Sequence, residues 1–462
     1  MSEANPAESL LPCERRIPTS PIWARWLMWL GLAGVLLGIL IPAVPNGFER
    51  FLTEGGELPE GFDFVHYFQA AEAVAQGEHL YESYTGGYLY PPMLAVIIAP
   101  LTSLSIDNAA VIWYWANVVT AVVVVMWVMR YVRDRMLPYA DPAVWEAGAL
   151  IAVLAGFELV KRQASFAQTD GIAMTGLLLA LPALMSRRPC LRLLLWAGLG
   201  IGFAANIKFM ALGILPYLLL TRRWGIVGAA ALGTVAISLS TSLYLGWERN
   251  LEYLAASSGG LLHVFGVEAE SYGGFDPWPI TWINSVSVTS GLARQFGEGE
   301  PMIIGAALVL LAWSAAAWWL YKSNGLSLLE RVTVGGRKLS DAAFARIAVL
   351  EWSSVIAAIL VFSPQTTKRH MLLFMPALVL TAMLLVARRS RPVWVWSLVS
   401  LLVLSGGLYL PPGSLVTDEV QNAWRSIGGA GWCLMASSLA LLAAGLRDAR
   451  PLIELSANEA RT

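Results

Sequence analysis

The sequence predicts an all-α polytopic membrane protein with about 12 transmembrane helices and two long loops on one side of the membrane. Of its 462 residues 57% are hydrophobic and only 14% are charged, and the mean hydropathy is +0.60. A water-soluble domain carries roughly one quarter charged residues, so this chain could not cover a soluble surface. Its apolar residues form runs near the ~20 that a helix needs to cross a bilayer. The 20 Trp suit many crossings of the membrane–water interface, where indole rings are favoured.

The predicted spans follow one another along most of the chain. The short run 92–104, flanked by prolines, is predicted to be re-entrant or interfacial. The runs 191–206 and 209–221 are also short, and they either cross the membrane or meet inside it as half-helices covered by protein. The candidate spans are 22–44, 109–130, 143–160, 168–185, 191–206, 209–221, 224–246, 302–321, 345–362, 370–387, 392–410 and 425–446.

The basic residues predict the orientation of the bundle. Residues 1–21 are polar, and the apolar run after them is too long for the core of a signal peptide, so we expect the first span to be retained. With a cytoplasmic N-terminus, most of the 31 Lys and Arg fall in cytoplasmic segments, as the positive-inside rule requires. The C-terminal tail 447–462 is then cytoplasmic too, and the long loops 45–91 and 247–301 lie on the outer face of the cytoplasmic membrane.

The sequence gives no strong signal for disulfides, a metal site or nucleotide binding. Cys13, Cys190 and Cys433 are too few and too scattered for a disulfide framework or a metal site. The glycines of 198–202 lie in an apolar helix, where close helix packing explains them better than nucleotide binding does. Asp63 and His66 offer at most two metal ligands. We therefore expect no nucleic-acid partner and no cofactor, and the residues themselves leave the use of a metal open.

Polar residues that are costly near a membrane gather on the predicted outer side. Basic groups there oppose the positive-inside rule, and charges within an apolar stretch are expensive and often functional. Because the topology was not chosen to bring them together, their common side predicts a shared site. These residues are Asp63 and His66 in the first outer loop, Lys161 and Arg162 at the end of a span, Lys208 within an apolar stretch, and Lys368, Arg369 and His370 at the start of another span.

Each of these residues also has a purely structural interpretation. Lys or Arg at the end of a span often anchors the helix at the interface. Asp63 could cap a helix predicted over 64–76, since Asp is favoured at that position. His66 and His370 could each be structural. Lys208 is the exception, because its place inside an apolar stretch predicts either a functional group or a buried ion pair.

In their order along the chain, the motifs resemble glycosyltransferase family 87, bacterial membrane enzymes of the GT-C superfamily. The best-described members are α-mannosyltransferases that use a polyprenyl-phosphate sugar. The resemblance runs from about residue 20 to 390, with two departures: Ala167-Gln168-Thr169-Asp170 stands where the family tends to have Gly-Gln-x-Asn, and Lys368-Arg369 makes the segment before His370 more basic. The other motifs are Asp63-Phe64 with Tyr67 and Ala70-Ala71, Tyr90-Pro91-Pro92, Ala99-Pro100-Leu101, Asn206-Ile207-Lys208, Arg222-Arg223-Trp224, Asn284-Ser285 and Ser363-Pro364.

The resemblance implies a GT-C-type domain over 22–446 and a reaction on the outer face. A hexose, best described as mannose, would pass from a polyprenyl-phosphate donor to a lipid-linked or cell-envelope acceptor among the membrane lipids, with no metal required. Asp63 would be the catalytic base. The donor phosphate would bind Lys208, Arg162, His370 and Arg369, and further candidates for substrate contacts are His66, Tyr67, Tyr90, Gln168 and Asn284.

Two other classes of function fit some of the same residues. A secondary transporter or lipid flippase could use Lys208 and Asp170 as a buried charge pair and the short helices of 191–221 as broken helices. It would not need the long outer loops or the aromatic and acidic segment around Asp63. A non-catalytic membrane scaffold would not need so many costly charges on one face.

Overall fold

The computed structural model describes a helical chain. It covers residues 20–53, 63–81, 88, 90–137, 140–141, 143–165, 168–264, 279–329, 331–333, 336, 338–364, 366–387, 390–409 and 417–458. Within these ranges there are isolated β-bridges, such as Leu326 with Thr333, but no strand. The predicted all-α class is confirmed.

Twenty α-helices follow one another in the described residues, with three 3₁₀ turns over Ala99–Ser103, Phe209–Ile214 and Lys368–Phe374. The helices are α1 (Ile22–Thr53), α2 (Asp63–Gln76), α3 (Pro92–Ile98), α4 (Ile106–Met136), α5 (Ala143–Ala155), α6 (Phe157–Ser165), α7 (Asp170–Leu179), α8 (Leu181–Leu184), α9 (Leu191–Ile207), α10 (Leu215–Leu220), α11 (Trp224–Ser240), α12 (Ser242–Leu245), α13 (Trp247–Val264), α14 (Val288–Phe296), α15 (Glu300–Ser323), α16 (Asp341–Phe362), α17 (Met375–Ala387), α18 (Arg391–Tyr409), α19 (Asp418–Ser426) and α20 (Gly429–Asn458).

Seven of the described helices are long and apolar enough to cross a membrane, which makes the chain a multi-pass membrane protein. They are Ile106–Met136, Trp224–Leu245, Glu300–Ser323, Asp341–Phe362, Lys368–Ala387, Arg391–Tyr409 and Gly429–Arg450. The pair α5 and α6 would add an eighth span that is bent by 70°. The predicted spans 168–185, 191–206 and 209–221 correspond to shorter apolar helices, and the part of α1 over Ile22–Gly38 is apolar as well.

The first predicted outer loop and the last predicted span differ in detail from the structure. Loop 45–91 contains the end of α1 and all of α2, and α3 begins directly after it, so the loop is helical over much of its described length. The predicted span 425–446 is interrupted after α19, since Gly428 turns the chain with a positive φ of 69° before α20 begins. A left-handed residue ends a helix, and glycine adopts that conformation without strain.

Glycines let three helices approach one another closely beside the site. A Cβ built on Gly202 of α9 would overlap the backbone of Gly233 in α11, and one built on Gly200 would overlap the carbonyl of Gly176 in α7. Small residues of this kind are how membrane helices pack at short range. The close-packing interpretation of the 198–202 glycines is therefore confirmed, and α9 is fixed between α7 and α11.

A buried ion pair ties the segment after α15 into the bundle. Arg331 donates from Nε to Glu351 Oε2 at 2.7 Å, and both side chains are buried. The Tyr217 hydroxyl donates to the same carboxylate oxygen at 2.9 Å. Because buried charges are tolerated when they are paired and hydrogen-bonded, this cluster joins α10, α16 and the connecting segment as one unit.

An apolar cluster anchors α2, whose first residue is Asp63. Phe64, Tyr67 and Phe68 of this helix are buried against residues of α3 and α4, and the rings of Phe64 and Trp113 lie 6.3 Å apart. The segment after α2 is held by Tyr253 of α13, whose hydroxyl accepts from the Leu80 backbone N–H at 3.1 Å. This packing fixes the position of Asp63 relative to the membrane helices.

Candidate active site

Asp63 forms an ion pair with a residue more than 300 positions away in the chain. Arg369 lies in the 3₁₀ turn that opens the Lys368–Ala387 span, and its NH1 donates to Asp63 Oδ1 at 3.2 Å. The two side chains are 23% and 15% exposed, so the pair remains accessible from outside. Asp63 begins α2 as a cap would, but its carboxylate is engaged by a cation of another segment. The structure thus brings two of the predicted site residues together.

Lys208 forms the buried ion pair that its position within an apolar stretch predicted. Its backbone is extended at the break between α9 and the next 3₁₀ turn. Nζ donates to Asp170 Oδ1 at 2.7 Å, and the side chains are 6% and 0% exposed. Asp170 is the first residue of α7, where the helix dipole favours a negative charge.

His370 completes this group with a defined tautomer. Its Nδ1 accepts a hydrogen bond from the Thr367 backbone N–H at 2.9 Å, as part of a capping arrangement at the start of the 3₁₀ turn. A nitrogen that accepts carries no proton, so the ring is neutral and the proton is on Nε2. Nε2 lies 3.8 Å from Asp170 Oδ1. His370 therefore presents an N–H donor beside the Lys208–Asp170 pair.

Two tyrosines connect the Asp63 pair with the Lys208 pair. The hydroxyls of Tyr67 and Tyr90 lie 3.4 Å apart, and their rings meet edge to face with centroids 5.4 Å apart. Lys208 Nζ lies 6.0 Å from the centre of the Tyr90 ring. Burial raises the pKa of Tyr67 well above its ordinary value, so Tyr67 is a neutral hydroxyl at physiological pH. On the same helix, burial lowers the pKa of His66, which favours the neutral imidazole.

Gln168 lies next to this cluster with its side chain unsatisfied. It is buried, and neither Oε1 nor Nε2 has a hydrogen-bond partner among the described residues. Its backbone carbonyl accepts from Gln163 Nε2 at 2.6 Å. Buried amides are nearly always paired in folded proteins, which makes Gln168 a candidate for binding something other than the protein.

An apolar groove reaches the same place from the side of the bundle. Its volume is about 310 Å³, it is open on one side, and its wall is almost entirely apolar. Asn117, Gln163, Gln168 and Gly171 also line the groove. The apolar wall comes from α1, α4, α5, α7 and α17, and it includes Trp29, Leu36, Tyr114, Val125, Trp145 and Met174. Sequence reasoning missed this groove because its wall residues resemble lipid-facing ones.

Two predicted site residues have their described contacts elsewhere. Arg162 pairs with Glu158 at 2.7 Å on the same helix, and its side chain is 42% exposed. Asn284 is exposed in the turn before Ser285. The nearby Lys368 donates from Nζ to the Leu408 carbonyl at 2.9 Å, away from the cluster. The cluster thus consists of Asp63, Tyr67, Tyr90, Gln168, Lys208, Arg369 and His370 from the sequence prediction, with Asp170 added by the structure.

Metal ligands are not grouped in the part of the chain that the structure describes. Within it, no three His, Cys, Asp or Glu side chains lie close enough together to hold an ion. Cys190 and Cys433 are free, and Cys13 lies outside the described residues.

Comparison with known proteins gives a consistent result. The model of glycosyltransferase family 87 matches residues 88–337, which is more than half of the chain. The chain is 24% identical over 445 residues to a polyprenol-phosphate-mannose-dependent alpha-(1-2)-phosphatidylinositol mannoside mannosyltransferase of Mycolicibacterium smegmatis, covering 88% of this chain and 91% of that protein. It is also 24% identical over 452 residues to the protein of the same name from Mycobacterium tuberculosis, covering 93% and 92%. No solved structure matches the chain significantly.

Proposed function

Since the chain belongs to glycosyltransferase family 87 and is a membrane glycosyltransferase, we propose that it transfers a hexose, mannose in the first instance, from a polyprenyl-phosphate donor to a lipid-linked or cell-envelope acceptor. The names of the two mycobacterial relatives give polyprenol-phosphate-mannose as the donor and phosphatidylinositol mannoside as the acceptor. The donor proposed here is of that kind, and the acceptor is a hydroxyl of a membrane-bound glycan or lipid.

The observation that supports this proposal is that the accessible carboxylate of Asp63 lies in one cluster with the fixed cations Arg369 and Lys208. In the proposed reaction the acceptor oxygen bonds to the anomeric carbon, and the bond from that carbon to the phosphate oxygen breaks. The acceptor proton moves to Asp63, which acts as a general base. The polyprenyl phosphate leaves with one more negative charge, which Lys208, Arg369 and the Nε2–H of His370 stabilise from fixed positions.

The apolar groove fits the other end of the donor. A polyprenyl chain is wholly apolar and avoids water, and the groove offers an apolar wall that includes Gln168, two residues before Asp170 of the buried Lys208–Asp170 pair. We infer that the first isoprene units of the donor lie in this groove. The phosphate and sugar are then carried to the cluster, and the rest of the chain remains in the bilayer.

Substitution of Asp63 tests the catalytic assignment. Asp63→Asn keeps the shape but cannot accept the proton, and removal of a general base typically lowers the rate by about 10²- to 10⁴-fold. Transfer of radiolabelled mannose from polyprenyl-phosphate mannose in purified membranes is the measurement. Glu72→Gln is the matched control, since Glu72 is a second acid on α2 with no contact to the cluster among the described residues. Undiminished transfer by Asp63→Asn would remove Asp63 from the reaction.

Filling the groove tests the donor's position. Ala33 lies in the groove wall on α1 and its side chain is exposed there, so Ala33→Trp would block the groove with little effect on folding. We expect the KM to rise for a long-chain donor and also for a donor of two isoprene units, because the first units of either chain would occupy the groove. Leu30→Trp is the control, because Leu30 is 65% exposed on the same helix and is not part of the groove wall. Equal KM values for the two tryptophan variants would contradict the assignment.

The orientation remains a proposal as well. We propose about 12 spans counting the short apolar helices, cytoplasmic tails over 1–21 and 447–462, the glycosyltransferase domain over 22–446, and the loops 45–91 and 247–301 on the outer face of the cytoplasmic membrane. Asn284 is exposed in the second loop, so Asn284→Cys in a cysteine-free background should react with a membrane-impermeant maleimide added to intact cells. Reaction only after cell lysis would reverse the orientation.

The alternative of a transporter or flippase is not favoured by the comparisons, which match enzymes. The buried Lys208–Asp170 pair that this alternative predicted is present. The same pair also suits an enzyme that binds a phosphate, so it does not separate the two functions.

A further inference from the structure

Three consecutive residues, of which Gln168 lines the apolar groove, carry polar atoms that nothing in the described protein satisfies. These atoms are Nε2 and Oε1 of Gln168, Oγ1 of Thr169 and Oδ2 of Asp170. The three residues are 1%, 0% and 0% exposed, so bulk water does not reach them. Single unsatisfied atoms also occur elsewhere in the described residues, but four within three consecutive residues indicate a place where a polar ligand completes the hydrogen bonds.

The position of these atoms narrows what the ligand can be. Gln168 is one of the residues that line the groove, and the other oxygen of Asp170, Oδ1, accepts a hydrogen bond from Lys208. On the proposed function, the donor's chain lies in the groove and its phosphate lies at the cations. The atoms therefore lie beside the place proposed for the head of the donor, which contains one phosphate and one hexose.

The chemistry of the atoms distinguishes the hexose from the phosphate. A carboxylate oxygen only accepts hydrogen bonds, and a phosphate diester offers no donor and repels a second negative charge. A sugar hydroxyl can donate to the carboxylate. An amide has both a donor and an acceptor, which suits a neighbouring hydroxyl that also does both. The phosphate already has better partners in Lys208, Arg369 and the N–H of His370.

We propose that Asp170 and Gln168 recognise the hexose that is transferred, with Asp170 Oδ2 accepting a hydrogen bond from one sugar hydroxyl and the Gln168 amide pairing with a second. This assignment rests on the proposed function. Asp170 then connects the sugar to the phosphate site, because one of its oxygens holds the hydroxyl and the other holds Lys208. Specificity for the hexose follows, since a sugar without the matching hydroxyl leaves a buried carboxylate oxygen unsatisfied.

Deoxygenated donors test the contact directly. In the wild-type protein, one polyprenyl-phosphate mannose analogue lacking a single hydroxyl should lose roughly 10- to 100-fold in kcat/KM, the usual effect of a hydrogen bond to a charged group. Asp170→Asn retains an oxygen that can accept from Lys208 but removes the charge. It should lower kcat/KM for the complete donor by a similar factor and then show little further loss with that one analogue. Gln168→Leu should do the same for an analogue lacking a different hydroxyl.

Binding of polyprenyl phosphate without a sugar separates this role from a role at the phosphate. Asp170→Asn removes a negative charge beside Lys208, so it should bind the sugar-free phosphate at least as tightly as the wild type does, which also shows that the variant is folded. Asp448→Asn is the matched control, because Asp448 is another buried acid in contact with a cation, Arg346 at 3.0 Å, in a different part of the bundle. Its ratios between analogues should equal those of the wild type.

Several results would overturn the assignment. Wild-type protein that treats every deoxygenated donor like the complete one has no hydroxyl contact of this kind, whatever the variants do. Asp170→Asn with wild-type ratios between analogues would show that Asp170 touches no hydroxyl. Equal losses of sugar-free phosphate and complete donor would place its effect at the phosphate. Wild-type protein that transfers no hexose from any polyprenyl-phosphate donor would instead contradict the proposed function itself.

Discussion

Replacing Lys208 by Met should destabilise the protein and abolish transfer. The additional substitution Asp170→Asn should restore part of the stability but not the transfer. Lys208 and Asp170 are both buried, and Nζ lies 2.7 Å from Oδ1. Lys208→Met keeps most of the side-chain volume but leaves the Asp170 carboxylate without a cation in contact among the described residues. Removing one partner of a buried pair typically costs about 3–5 kcal/mol in the free energy of unfolding.

The double variant Lys208→Met, Asp170→Asn removes both charges. Its free energy of unfolding should recover by about 2 kcal/mol, because a buried amide without a partner costs about 1–3 kcal/mol. Transfer should not recover, since the leaving phosphate still lacks its buried cation. Unfolding in mixed micelles measures the first quantity, and transfer of labelled hexose per folded protein measures the second.

Two outcomes would refute this reasoning. If Lys208→Met unfolds like the wild type, the pair does not hold the two segments together. If the double variant regains transfer with its stability, Lys208 serves only to neutralise Asp170 and the donor phosphate binds elsewhere. The single variant Asp170→Asn completes the cycle and gives the coupling energy between the two side chains.

Three further predictions follow from other parts of the structure. Glu351→Gln should lower the free energy of unfolding by about 3–5 kcal/mol, because it leaves the buried Arg331 without a counter-charge. Transfer per folded protein should remain unchanged. A loss of activity without a loss of stability would contradict a purely structural role for Glu351. Gly202→Leu should lower the free energy of unfolding by about 3 kcal/mol or more, because the side chain would overlap the facing backbone of α11. Gly228→Leu should have little effect, since an added Cβ there meets nothing within 4 Å. Equal melting temperatures of the two variants would refute the packing argument. Burial lowers the pKa of His66 below 6.5, so the unfolded chain takes up its proton first as the pH falls. Stability should therefore decrease below about pH 6.5. The difference in melting temperature between about pH 7.5 and about pH 5.5 should be smaller for His66→Gln than for the wild type, and an equal difference would exclude His66 as a cause.

The sequence was informative where a single residue is energetically unfavourable in its local environment, such as a charge within an apolar stretch. Lys208 inside an apolar stretch had to be functional or paired, and it is paired. The order of the motifs led to the family that the comparison confirms. The predicted apolar runs correspond to helices, since a polypeptide in lipid must satisfy its backbone hydrogen bonds internally.

Other features depend on contacts between distant segments, which no local pattern reveals. The sequence paired Lys208 with Asp170 only under the transporter alternative, and it grouped Asp63 with Arg369 only because both fall on the predicted outer side; the direct contacts were not predictable. The 70° bend between α5 and α6 falls at Gly156, where an added Cβ would come within 3.0 Å of the Met375 sulfur. That glycine looks like any other in an apolar run, so the bend could not be predicted.

The half-open groove has a consequence for how the rate of transfer should be described. A donor that reaches the site sideways from the bilayer never passes through water, so its number per unit volume of solution has no bearing on how often it meets the protein. The relevant quantity is its mole fraction among the surrounding lipids. Dilution of the membrane with inert phospholipid at a constant total amount of donor should slow the reaction, as it would slow an encounter confined to two dimensions.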